Sequence, residues 1–399
     1  SATVLVLTGA GSRYETKEQN GISHFLEHMF FKGAKKYKTA KEVSETIDGI
    51  GGDFNAFTGK EYVGYYVKVA AKHQKVAMDV LSDMLIHSRF DAHEINKERG
   101  VIMEEYNMYQ DTPMYQVGWD FERLMFGDQP MGWDQVGTKE LIQGVTRDDF
   151  VQYKKDLYTP ENIVISVAGN MAHEEVAAEV KKMFTFEDGK KAYQHPVLLA
   201  NKSRKRVFLQ HKKTEQAHVV VGFPSYQEKH PDHYALKVLS VILGGGMSSR
   251  MFLGVREAKG LAYYIQTSTD DYTDTGIIST RAGVDVKRIK LAVSAIVEEY
   301  KKIRGAAIPK EELTKAKEYL KGKLVLRLED SEEYAHLIGK DELLYTKAET
   351  PEHLMEGIDK VKVQDIARVS ENLFSNNELR LAAIGPYEKA EEFEELLAM

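Results

Sequence analysis

The chain contains a long internal duplication, so any fold assigned to it has to be built twice. Residues 145–169 (VTRDDFVQYKKDLYTPENIVISVAG) align without a gap with residues 361–385 (VKVQDIARVSENLFSNNELRLAAIG), at an offset of 216. Each segment reads as a helix, a short turn, a strand and then Gly. Each is followed by an acidic helix, over 173–184 in the first copy and 387–397 in the second. A second pair, Glu94-Ile95-Asn96-Lys97 and Glu312-Leu313-Thr314-Lys315, repeats at an offset of 218. A period this long marks a duplicated domain and not a solenoid repeat.

The halves meet in a polar, Lys-rich stretch over 187–206 that contains Gly189 and Pro196 and reads as a linker. This gives two domains, residues 1–195 and 205–399. Segments 62–69 (YVGYYVKV), 163–167 and 219–223 are rich in strand formers and alternate with helical patterns. The expected architecture is α+β: two homologous α/β domains, each with a mixed, mostly antiparallel sheet covered by helices.

Composition removes several function classes. The net charge is −7 and there is no long basic run, which argues against nucleic acid as a partner. No apolar stretch approaches the ~18 residues that a membrane span needs. The absence of Cys excludes disulfides, thiol nucleophiles and Cys-ligated zinc. Gly9-Ala10-Gly11 is half of a dinucleotide fingerprint. The glycines at 132 and 137 are followed by Thr138-Lys139, a reversed phosphate-loop ending. Neither makes a nucleotide site. His211 and His218 read as structural or surface residues. The opening Ser1-Ala2-Thr3 has no Met and reads as a trimmed end.

The chemistry concentrates in Gly21-Ile22-Ser23-His24-Phe25-Leu26-Glu27-His28. On a helix, residues four apart share a face, so His24 and His28 can grip one ion. Glu27 projects beside that ion. Two histidines with a flanking Glu, in the order H-x-x-E-H, form the ligand-plus-base pattern of zinc peptidases. A catalytic zinc takes three protein ligands and keeps one position open. The segment 92–109 offers Glu94, Glu98, Glu104 and Glu105 as the third. At 100° per residue, Glu98 and Glu105 lie about 20° apart, on the side of Ile95 and Ile102. Glu104 points away. A carboxylate facing a core needs a partner, and a metal or a ligand histidine supplies one.

The repeat provides an internal control. At offset 218, Glu98 becomes Ala316 and Glu105 becomes Lys323, and the second half has no H-x-x-E-H. The acidic pair disappears together with the histidines, which is the behaviour of a shared site.

His24-x-x-Glu27-His28, followed by Glu105 after 76 intervening residues, resembles the zinc site of the M16 (pitrilysin-like) metallopeptidases, and of the M16B subfamily in particular. The resemblance covers nearly the whole chain. It implies the LuxS/MPP-like metallohydrolase fold, with one Zn2+ per chain bound by His24, His28 and Glu105. It makes Glu27 the general base and Glu98 a supporting carboxylate. Segment 51–58 (GGDFNAFT) resembles the family's edge strand beside the zinc, which implies that Asn55 and Ala56 contact the peptide backbone. Gly244–Gly246 with Arg256 and Tyr263 resembles the family's Gly-rich loop and its Arg/Tyr pair, which holds the substrate carbonyl.

The implied protein is a zinc endopeptidase that cleaves unfolded peptides or presequence-like segments inside a closed dimer chamber. A homodimer is favoured and a heterodimer stays open. The implied location is a bacterial cytoplasm, or the mitochondrial matrix if a transit peptide was removed. The family also places a strand before the position of Thr3. Two rival readings are a non-catalytic scaffold subunit and a peptide-binding module with structural zinc. Stoichiometric zinc on the isolated chain argues against the first, and a Glu27→Gln variant that keeps zinc and loses cleavage separates the second from the enzyme.

Overall fold

The computed structural model describes every residue except 202, 204 and 376. It forms two compact units. The first comprises residues 1–107, 133–196 and 325–350, and the second comprises 108–132, 197–324 and 351–399. Each unit therefore takes one segment from the other half of the sequence. The helices in those two segments, Pro113–Phe126 and Ser331–Tyr345, begin 218 residues apart, so the exchange itself obeys the repeat.

The first unit holds a four-stranded antiparallel sheet in the order β2-β3-β1-β4. The strands are β1 (Ala2–Thr8), β2 (Asp53–Thr58), β3 (Val63–Val69) and β4 (Ile163–Gly169). All seven residues of β1 are buried, because both faces of the sheet are covered. The pleat sends Leu5 and Leu7 to one face, where they pack with Ala335 of the helix Ser331–Tyr345. A Cβ on Gly339 of that helix would lie 2.8 Å from Leu7 and 2.9 Å from Ser166, so glycine permits the close approach. Val6 points to the other face, opposite Tyr65, whose ring meets Phe30 edge-on at 5.2 Å. Phe30 belongs to α1 (Ile22–Phe30). This unit also contains α2 (Ala40–Asp48), α3 (Gln74–Ile86) and most of α4 (Ala92–Asp111). Burying a Leu or Val side chain of β1 contributes about 1.5–3 kcal/mol, and the whole strand acts as the rail on which this unit is assembled.

The second unit holds a five-stranded sheet in the order β5-β9-β6-β8-β7. Its strands are β5 (Val207–His211), β6 (Gln216–Ser225), β7 (Ala262–Asp271), β8 (Gly276–Asp285) and β9 (Arg380–Gly385). Among the described residues only the β5–β9 pair is parallel. Val117 and Phe121 of α5 (Pro113–Phe126) pack on one face with Val220, Ala382 and Ile384. On the other face, Val219, Val221 and Phe223 join Leu236, Leu239, Ile296 and Ile366 from three helices in a larger core. Alternation along β6 thus feeds two cores.

The architecture is the expected α+β one. Strands over 63–69, 163–169 and 216–225 fall where the sequence placed them. The segment 387–397 departs from expectation. It holds only a short helix, Glu391–Glu394, and one 3-10 turn, Glu395–Leu397. Tyr387 is used otherwise. Its ring packs on Phe393 at 5.3 Å and its hydroxyl donates to the carbonyl of Val286 at 2.8 Å, so the chain is pinned back on the core before a helix can start. Among the described residues no helix is long and apolar enough to cross a membrane.

Candidate metal centre

Helix α1 turns one face fully inward. Ile22, Phe25, Leu26, Met29 and Phe30 have no exposed surface. The remaining arc carries His24, Glu27 and His28 at helical spacing, so folding of the apolar face aims all three at one point. Helix α4 supplies the carboxylates. Ile95, Glu98 and Ile102 are buried, Glu104 is exposed, and Glu105 lies two turns beyond Glu98 on the same side.

The histidine and carboxylate atoms converge. Glu105 Oε2 lies 3.6 Å from His24 Nε2 and 3.5 Å from His28 Nε2. Donor atoms of His24, His28 and Glu105 all lie within 4.8 Å of one another. Zinc bonds of about 2.0–2.1 Å at tetrahedral angles put neighbouring ligand atoms about 3.3–3.4 Å apart. The two separations from Glu105 fit that ion. The donor chemistry also fits: two imidazole nitrogens and one carboxylate suit zinc, whereas calcium and magnesium require oxygen. Three such donors would leave a fourth position open, the arrangement that catalytic zinc sites have. Among the described residues no other group of three or more His, Asp or Glu side chains converges in this way.

Glu98 does not reach the convergence point. Its Oε1 pairs with His28 Nδ1 at 2.9 Å, and its Oε2 meets Lys32 Nζ at 2.6 Å. The first contact fixes the His28 ring and leaves Nε2 as the nitrogen facing Glu105. Burial raises the tendency of Glu98 to hold a proton, but His28 and Lys32 outweigh it and keep the carboxyl below its usual range. Burial likewise works against ionised Glu105, and its contacts with His24 and His28 hold it well below the usual carboxylate range. His28 would be depressed by burial, yet Glu105 and Glu98 push it up to about 9. Glu27 differs from the other two. Burial dominates and raises its pKa, against opposing effects of Thr58 and the two histidines. A carboxylate beside the centre with raised proton affinity, and outside the ligand set, is equipped to accept and return a proton.

The hydroxyl of Thr58 donates to Glu27 Oε2. Thr58 ends β2, an edge strand whose only pairing among the described residues is with β3. Asn55 is exposed, and its side-chain oxygen accepts the N–H of Ala56 at 2.9 Å. Arg256 and Tyr263 belong to the second unit. The Arg256 guanidinium stacks 4.5 Å above the Phe252 ring, and Tyr263 is 74% exposed, so Tyr263 is not a core aromatic. Thr58 and Lys32 were not singled out from sequence. Lys32 is four residues after His28, and Thr58 shares a strand face with Ala56, so the signal for each is its spacing from a candidate site residue.

Glu98→Gln keeps the shape and removes the charge that orients His28. Zinc affinity is expected to fall about 10–100-fold, the usual cost of losing a partner behind a metal ligand. Competition against a chromophoric chelator measures it.

Known proteins carry the same architecture. Residues 1–129 match the insulinase domain of peptidase family M16, and residues 144–320 match the domain described as the M16 inactive domain. An uncharacterized zinc protease of Bacillus subtilis is 39% identical over 389 residues, covering 97% of this chain and 93% of that protein. One from Mycobacterium leprae is 34% identical over 97% of this chain and 87% of its own. The crystal structure of a protease from Helicobacter pylori superimposes with a TM-score of 0.87 at 24% identity, covering 96% of this chain and 94% of that one. The matched halves divide as the motifs do, with every candidate zinc ligand in the first. The chain therefore belongs to peptidase family M16, among relatives named as zinc proteases.

Proposed function

We propose that this chain is a zinc-dependent endopeptidase acting on unfolded peptides. The observation that carries this reading is the convergence of His24, His28 and Glu105 with Glu27 beside them and outside the ligand set. Bound zinc supplies the positive charge that acidifies a water molecule and polarises a peptide carbonyl. Glu27 takes the proton released as water attacks, and passes it to the leaving amine. Thr58 holds the Glu27 carboxyl in place during both transfers. Glu98, neutralised by Lys32, keeps His28 oriented.

The substrate reading follows from β2. An edge strand has free N–H and C=O groups, and an extended peptide satisfies them by adding as a further strand. Residues Asn55 and Ala56 face that added strand in this reading. Only an unfolded segment can present its backbone this way, which limits the substrate class. Arg256 and Tyr263 carry the donors that a developing oxyanion needs, and their assignment rests on the M16 resemblance. That resemblance also supports catalysis in residues 1–195, a partner domain over 205–399, a chamber-forming dimer and a cytoplasmic location.

The test is mass spectrometry of the products from a long, unstructured polypeptide. Cuts at internal bonds, blocked by a zinc chelator, are expected. Release of single terminal residues would overturn the endopeptidase assignment. Intact substrate despite bound zinc would move the chain to a scaffold role.

A further inference from the structure

Helix α1 carries both histidines and Glu27, so whatever sets its position sets the metal geometry. Its N-terminus has a capping problem. The first N–H groups of a helix lack intrahelical partners. The N-cap position, where Ser, Thr, Asp or Asn normally accepts one of them, is Gly21. Gly21 sits at φ 106°, and a Cβ there would meet Gly137 Cα and Val136 O at 2.7 Å. A residue with a capping side chain does not fit.

The acceptor comes from six residues upstream. Glu15 Oε2 accepts the Gly21 N–H at 2.8 Å and the Asn20 Nδ2 at 3.0 Å. Glu15 Oε1 accepts the Ser23 N–H at 2.9 Å. Asn20 also donates to the carbonyl of Asp134 at 3.0 Å, which ties the approach segment down. Ser23 makes a second attachment, a 2.6 Å hydrogen bond between its hydroxyl and that of Tyr153. Ser23 immediately precedes His24. Glu15 is only 3% exposed, so without its carboxylate the Gly21 and Ser23 N–H groups would be left as buried donors that have lost their acceptor.

We infer that Glu15 is a positioning residue of the metal centre: its carboxylate anchors the first turn of α1 and thereby fixes where His24 and His28 present their nitrogens. The inference rests on the zinc-peptidase reading above. A carboxylate suits the task for two reasons. It has two acceptor oxygens for the two backbone N–H groups, and those N–H groups and the helix N-terminus favour its ionised form against the burial that raises its pKa. An amide in its place keeps one acceptor and turns an NH2 group toward an N–H.

The experiment compares wild type, Glu15→Gln and Glu15→Asp in three readouts: zinc affinity by chelator competition, the visible absorption of the Co2+-loaded chain, and kcat and KM separately. Glu15→Gln is expected to weaken zinc about 10–100-fold, shift the Co2+ bands, and lower kcat at saturating zinc with KM unchanged. Glu15→Asp, which keeps both acceptors on a shorter arm, is expected to lie between the two. Wild-type zinc affinity and Co2+ spectrum in a Glu15→Gln chain that merely melts earlier would overturn the inference. If Glu15→Gln does not fold, Glu15→Asp carries the same readouts, and wild-type values there overturn it equally. Wild type separates the two levels of failure. A wild-type chain that binds no zinc defeats the peptidase reading, whereas a zinc-loaded, active wild type matched by its Glu15 variants defeats this inference alone.

Discussion

Glu27→Gln is expected to keep its zinc and lose peptide cleavage by about 10²–10⁴-fold, the contribution of a positioned general base. Three features make this substitution clean. Glu27 is not one of the converging donors, so affinity for the ion is preserved. Its contact with Thr58 survives, because an amide oxygen accepts the same hydroxyl proton. Burial already disfavours the charged form of Glu27, with its pKa raised above the unfolded value. At neutral pH, above that unfolded value, the ionised group opposes folding, and a neutral isostere removes the opposition. The thermal midpoint of the metal-free chain should therefore stay equal or rise; bound zinc, a dication beside the carboxylate, favours its ionised form and works against this gain in the loaded chain. Metal analysis, a peptide assay and a melting curve on one preparation check all three statements. Loss of zinc from this variant would mean that Glu27 is a ligand and that the proposed division of roles is wrong.

Glu105→Ala has the opposite signature: the chain folds and the metal is lost. Removing one of three ligands is expected to weaken zinc roughly 10²–10³-fold, about a third of the ~10–16 kcal/mol available in protein zinc sites after allowing for a replacement water. The two histidines also lose the carboxylate that lies 3.5–3.6 Å from both. Zinc at 100 times its dissociation constant stabilises a folded chain by about 2.7 kcal/mol. That stabilisation should appear in wild-type melting curves and fall to about 0.4 kcal/mol or less for Glu105→Ala at the same zinc concentration. A variant that still gains the full zinc-dependent shift would remove Glu105 from the ligand set and reopen the choice among the four glutamates of α4.

The convergence of His24, His28 and Glu105 was legible in the sequence because their spacing is a helical property. His24 and His28 share a face by geometry alone. Glu98 and Glu105 were separable from Glu104 because they interrupt the stripe of Ile95 and Ile102, and that stripe is buried. The repeat then showed which polar positions go together. Other features are properties of contact and not of spacing. Nothing in residues 331–345 tells which sheet the helix covers, so its place against β1 was not legible. Thr58 reaches Glu27 across 31 residues, and Glu15 reaches Ser23 around a turn whose shape depends on Gly21 and Gly137. The acidic run near the C-terminus reads as a helix by composition. Tyr387 instead spends its side chain on Phe393 and Val286, and tertiary packing overrides the local preference.

One zinc ion, held by His24, His28 and Glu105, is expected to make this chain a peptidase. The most direct measurement is a zinc titration of the metal-free chain with cleavage of a quenched, unstructured peptide as the readout. The expected result is no cleavage without metal, a linear rise that breaks at one equivalent of zinc, and a flat line for Glu27→Gln at every zinc concentration. Cleavage that persists in the metal-free chain, or a chain that binds one equivalent and stays inactive, would contradict it.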